Sequence, residues 1–168
     1  AWLDTYPQPW GVEANFGIID AQGGAAYYEI NNHRWIKYDV NEEANGYRVV
    51  TNFSFAGRYE DYEGWERYQT ASAIMQEKFS REIEMTAIDA INLFSRKYRH
   101  EVLGVNYYQE NAPKYIIDQD YIPRRITSAV ICFQGVKAGS DPKYSVMWSA
   151  LGYPACAVAI PIVMHPDH

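Results

Sequence analysis

Two segments with helical spacing lie side by side in the middle of this chain, and strand-like runs flank them on both sides. From Trp65 onward, Tyr68, Ala71, Ser72, Met75 and Phe79 recur at three- and four-residue intervals, which predicts an amphipathic helix over 65–78. A second helix, capped by Ser80 or Thr86, places Ala87, Ile88, Ile91, Phe94 and Tyr98 on one face and Asp89, Asn92, Arg96 and Lys97 on the other. Arg96, Lys97 and Arg99 in its last turn would complement the negative end of the helix dipole. Strands, then a helical pair, then strands is the order of an α+β fold rather than of a parallel α/β sheet.

The flanking runs have the period of strands. Residues 14–20 and 25–30 are separated by a turn with Gly23 and Gly24, which predicts a β-hairpin. Residues 34–40 alternate as a third strand, and the β-branched Val49, Val50 and Thr51 predict a fourth, giving an antiparallel meander. After the helices, residues 126–134, 144–149 and 156–163 read as strands. The stretch 100–123 is the least regular, with a turn at Asn111, Ala112 and Pro113.

Length and composition narrow the function classes. A chain of 168 residues with 48% hydrophobic content holds one substantial core, so residues 1–168 are expected to form a single domain. A formal charge of −6 and the absence of a basic stripe exclude a nucleic-acid partner. The longest uncharged apolar run, 126–134, is too short to span a bilayer. Cys132 and Cys156 each fall in a predicted strand and read as small buried hydrophobes, with a cross-strand disulfide as the alternative. His33, His100, His165 and His168 have no partners at metal-ligand spacing, so neither a metal nor a cofactor is expected. Glu60, Asp61, Glu63 and Glu66 are too dense for a glycosidase pair and read as a hydrated surface. No nucleophile sits in a recognisable elbow.

Asn52 and Arg67 are the candidate site residues. Asn52 ends the predicted strand at 49–51, and Arg67 lies in the first turn of the predicted helix, beyond a glycine- and acid-rich loop. An amide and a guanidinium delivered from two rigid elements suit an oxygen-rich, partly negative ligand or transition state. The alternative is structural: asparagine often ends strands by satisfying nearby backbone groups, and helix arginines are usually solvated.

Four stretches carry a resemblance. They are residues 15–29, then Val49 to Phe53, then Gly64 to Ala71, and finally 146–154. In this order they resemble the later part of an N-terminal-nucleophile hydrolase, with the penicillin acyltransferase-like cysteine peptidases and the choloylglycine hydrolases as the nearest groups. The resemblance implies a four-layer αββα sandwich, of which this chain would supply a large share of one sheet and one helical layer. It implies an N-terminal cysteine that attacks a linear amide of a small-molecule substrate with its own α-amine as base. Asn52 would be the oxyanion donor, and Arg67 would lie near the nucleophile. That cysteine has no counterpart here, so the chain is expected to be the C-terminal portion or a processed subunit of a longer hydrolase or acyltransferase. Its first partner would then be the missing N-terminal polypeptide, with a homo-oligomer left open. Phe53, Ser54 and Phe55 stand where the bile-salt enzymes have a longer polar-proline turn, so bile-salt specificity is not implied. For such a processed chain an extracytoplasmic location, periplasmic or secreted in a bacterium, is expected.

A second function class stays open. Fifteen tyrosines and five tryptophans would also suit a non-catalytic ligand-binding module that stacks its ligand on Trp10, Trp35, Trp65 or tyrosine side chains.

Overall fold

The first hairpin forms as its glycines predict. β1 (Ala14–Ile19) pairs antiparallel with β2 (Ala25–Asn31), from Ala14 opposite Ile30 to Ile19 opposite Ala25. Asp20 folds the turn by accepting from the backbone N–H groups of Gln22 and Gly24, and a Cβ on Gly24 would collide with that carboxylate. β3 (Arg34–Asp39) pairs with the other edge of β2, giving the sheet order β1-β2-β3. The computed structural model describes residues 5–56, 63–82, 84–107 and 113–163. The expected features at Gly57, Glu60, Asp61, Asn111, Ala112, His165 and His168 lie outside the described residues.

The predicted fourth strand does not form. Residues 47–51 belong to no ladder, and the segment is fixed by side chains instead. The Asn15 side-chain amide donates to the Thr51 carbonyl at 3.4 Å, and the Thr51 hydroxyl donates to the Gly64 carbonyl at 3.1 Å. The Arg48 guanidinium lies 3.4 Å above the Tyr38 ring centre, and the Tyr47 ring meets Phe79 at 4.8 Å. β-Branching favours extended backbone but supplies no partner strand, which explains the difference.

Both helices form. α1 (Trp65–Phe79) begins at Gly64, whose φ of 86° puts it in the left-handed region. α2 (Ala87–Ser95) starts with a capping box: the Thr86 hydroxyl accepts from the Asp89 N–H at 3.1 Å, and the Asp89 carboxylate accepts from the Thr86 N–H at 3.1 Å. The helix stops at Ser95, so Arg96, Lys97 and Arg99 are not its last turn. Arg96 turns away and donates to the carbonyls of Pro154 and Ala157, at 3.0 and 2.7 Å. Arg99 enters β4 (Arg99–His100), which pairs with β5 (Val105–Asn106), and bonds the Glu77 carboxylate of α1 through both terminal nitrogens.

The last sheet has the order β6-β7-β8, from β6 (Ala129–Gln134), β7 (Val146–Leu151) and β8 (Ile160–Val163). α2 packs on β6, and Ala87, Ile91 and Ala150 are buried, as are Phe53, Ala71 and Ile74 around α1. The final strand starts at Ile160 rather than 156, because residues 154–156 form a turn. Cys156 is therefore exposed in that turn, Cys132 is half-buried in β6, and both thiols are free. The architecture is mixed α and β, with antiparallel sheets and two helices. Among the described residues no helix is long and apolar enough to cross a membrane.

One face of the last sheet carries four exposed apolar side chains. The register aligns Ile131 with Ser149 and Ile160, and Phe133 with Met147 and Ile162. Side chains two apart share a face, so Ile131, Phe133, Ile160 and Ile162 project together, and all four are exposed.

Candidate functional site

The structure brings Asn52 and Arg67 together. Arg67, in the first turn of α1, is only 7% exposed, and its Nη2 donates to Oδ1 of Asn52. A guanidinium has donors only, so this contact fixes which way the Asn52 amide faces. The oxygen points to Arg67 and the NH₂ group points away from it. Asn52 itself is exposed, and among the described residues its Nδ2 makes no hydrogen bond.

Gly64 gives Arg67 its place. A Cβ at Gly64 would lie 2.6 Å from Nη2 of Arg67 and 3.2 Å from the Thr51 hydroxyl, so the guanidinium rests against bare glycine backbone. The Thr51 to Gly64 hydrogen bond ties the residue before Asn52 to the start of the same helix. Burial, and then the charge of Arg124, lower the pKa of Arg67 from its usual value, against the opposing pull of Glu63, Asp120 and Glu66. An arginine so placed stays charged, and desolvation strengthens its field at Asn52.

Aromatic rings brace the next residue. Phe53 is buried edge-on against Phe55 and Tyr68, at 5.1 and 5.3 Å between ring centres, and Trp65 stacks on Tyr68 at 5.4 Å. Trp65 thus belongs to the packing around the site. Trp10 donates its ring N–H to the Tyr6 carbonyl at 3.2 Å, whereas Trp35 lines a cleft. The three tryptophans thus have three different settings, and the Trp35 ring also meets that of Tyr28 at 5.8 Å.

That cleft, of about 550 Å³, opens beside Asn52. Asn15, Glu29, Arg34 and Ser54 line it together with Ile30 and Trp35, so its wall mixes polar and apolar groups. Glu29 is the residue that sequence reasoning missed. It is 4% exposed, yet its carboxylate accepts from the Ser54 hydroxyl at 2.8 Å, the Phe55 N–H at 2.9 Å, the Ala56 N–H at 3.0 Å and the Tyr38 hydroxyl at 3.3 Å. Burial, with the Glu29 charge adding to it, raises the pKa of the Tyr38 phenol and pushes that of Tyr27 up to about 12. The available signal is a lone carboxylate inside the apolar run Tyr27, Tyr28, Glu29, Ile30, a pattern that asks for buried partners.

Among the described residues no group of three or more His, Cys, Asp or Glu side chains converges as a metal site. His100 is buried, and its Nδ1 accepts from the Leu103 N–H at 3.3 Å, a structural use. Chemically, the arrangement offers an exposed amide donor held from behind by a buried cation, at the edge of a cleft. Comparison with known proteins found no matching protein family, no matching curated protein and no matching solved structure.

Proposed function

We propose that this chain is the C-terminal portion of a linear-amide hydrolase or acyltransferase, in which Asn52 donates to the oxyanion of a tetrahedral intermediate. The observation that carries the reading is the bond from buried Arg67 to Oδ1 of Asn52, which leaves the NH₂ group as the outward donor. In this reading an N-terminal cysteine, supplied by polypeptide outside this chain, attacks the substrate carbonyl, and its own α-amine takes the thiol proton. As the carbonyl carbon becomes tetrahedral, negative charge gathers on oxygen, where the Asn52 N–H meets it. The bond is stronger in the transition state than in the ground state, so it accelerates the step rather than merely tightening binding. Arg67 polarises the amide and prevents it from rotating.

The exposed apolar side chains of Ile131, Phe133, Ile160 and Ile162 on one sheet face support a polypeptide partner of this kind. An αββα sandwich buries each sheet face against another layer, and such a face would be covered when the remaining polypeptide is present.

The test is kinetic and uses the complete protein that contains this chain. Asn52→Ala should lower kcat on acyl-amide substrates by about a hundredfold to a thousandfold with little change in KM, and it should also lower the melting temperature, because buried Arg67 loses its partner. An asparagine that only satisfies Arg67 would cost stability, roughly 1 kcal/mol or more, and leave turnover per folded molecule intact. That second outcome would remove Asn52 from the chemistry.

A further inference from the structure

The segment that follows Asn52 is strapped to the first sheet from two neighbouring strands. Glu29, on β2, accepts from the N–H groups of Phe55 and Ala56 and from the Ser54 hydroxyl. Arg34, on β3, donates through Nη2 to the Ala56 carbonyl at 3.1 Å. The Ala56 residue is thus held at its N–H by an anion and at its carbonyl by a cation. On the other side of Asn52, the Thr51 carbonyl accepts from Asn15 on β1, and the Thr51 hydroxyl reaches the start of α1. Asn52 is bracketed by fixed residues, while among the described residues its own side chain is held by Arg67 alone.

This arrangement has a specific cost and a specific use. Burying a carboxylate away from water is unfavourable unless its oxygens are bonded, and Glu29 meets that demand by taking donors from one short stretch of chain. The stretch therefore cannot leave without exposing an unpaired carboxylate and two backbone N–H groups. Hydrogen bonds to an ionised acceptor are about twice as strong as neutral ones, so the clamp is stiffer than a loop of ordinary polar contacts.

We infer that Glu29, assisted by Arg34, is a positioning residue for the Asn52 donor: it fixes the backbone after Asn52 so that the Arg67-bound amide presents its N–H to the cleft. The inference rests on the functional reading above only for its kinetic part. Its structural part, that Glu29 sets the orientation of the Asn52 side chain, stands apart from any activity.

The experiment uses the complete protein and the isosteric change Glu29→Gln, which turns one accepting oxygen into a donor facing other donors. Two readouts are taken. In the first, NMR of the Asn52 side-chain NH₂ should show its two proton signals moving toward the values of a solvent-exposed asparagine, and exchange at the Phe55 and Ala56 amides should quicken at least tenfold. In the second, kcat on acyl amides should fall at least tenfold with KM within twofold, and the same change made on an Asn52→Ala background should have no further effect on kcat. A merely structural glutamate would lower kcat by the same factor on both backgrounds, or lower only the melting temperature.

Unchanged Asn52 side-chain signals in Glu29→Gln would overturn the inference, whatever the enzyme kinetics. If those signals move but Asn52→Ala leaves turnover intact, the functional reading fails and the structural role of Glu29 stands. Should Glu29→Gln not fold, Ser54→Ala and Arg34→Ala each remove one strap, and the same two readouts, in smaller degree, decide the matter.

Discussion

The guanidinium of Arg67 and the side-chain oxygen of Asn52 meet across fifteen residues of sequence, one from a helix and one from a segment with no ladder of its own. This contact makes the identity of the cation testable. Lysine keeps the charge but loses the planar fork and its fixed direction, so Arg67→Lys in the complete protein is expected to lower kcat roughly tenfold or more. Single-turnover kinetics beside thermal melting will show it. A variant unchanged in both would return Arg67 to a packing role.

Gly64 carries two constraints at once, a left-handed backbone and a missing Cβ against Arg67 and Thr51. Gly64→Ala is expected to destabilise by about 1–3 kcal/mol in denaturant unfolding. Gly64→Asn distinguishes the causes, since asparagine tolerates the left-handed region but still places a Cβ against the guanidinium. Comparable losses in both variants would show that crowding of Arg67, rather than backbone strain, causes most of the damage.

Acid stability should depend on the bond between α1 and β4. The Arg99 guanidinium holds the Glu77 carboxyl below its usual value of 4.5, chiefly by hydrogen bonding. A carboxylate with a depressed folded pKa stabilises the fold fully above its unfolded pKa. That stabilisation is lost as pH falls through the lower, folded value. Arg99→Gln should therefore flatten the decline of stability below about pH 4.5. Urea unfolding at pH 3, 4, 5 and 7 checks the slope, and an unchanged acid limb would show that the pair contributes nothing measurable.

The apolar face of the last sheet gives a prediction for the isolated chain. With Phe133 at 66% exposure and Ile160 at 59%, the chain alone should bind a hydrophobic dye or self-associate at micromolar concentration, and it should show no amidase turnover. Light scattering, dye fluorescence and an acyl-amide assay test this together. A stable, monodisperse monomer that binds no dye would count against a missing layer on that face.

Local patterns are the legible part of this fold. The turn glycines, the spacing from Trp65 and the Thr86 cap each act within a few residues, so sequence alone locates the first hairpin and both helices. What fails is whatever depends on a distant partner. Val49 and Val50 have strand chemistry, but among the described residues they join no ladder. Arg96 and Arg99 have the charge to end a helix, yet one is drawn to carbonyls near Pro154 and the other to Glu77. Asn52 and Arg67 stand out as a pair in the sequence and are in contact, whereas Glu29 escapes notice because its donors on Ser54, Phe55 and Ala56 lie 25 to 27 residues further along. Cys156 has the neighbours of a strand residue, but the turn at 154–156 places it in solvent.

Arg96 also changes how the second half of the chain comes apart. Its bonds to Pro154 and Ala157 close loops of 58 and 61 residues without a covalent link. Closing so long a loop costs entropy only once, and after that α2 and the turn before β8 have little freedom to open separately. A single protease cut between 113 and 128 should then leave two pieces that stay associated and melt in one transition. With that result the arginine behind α2 would be a noncovalent staple that joins this half into one cooperative unit.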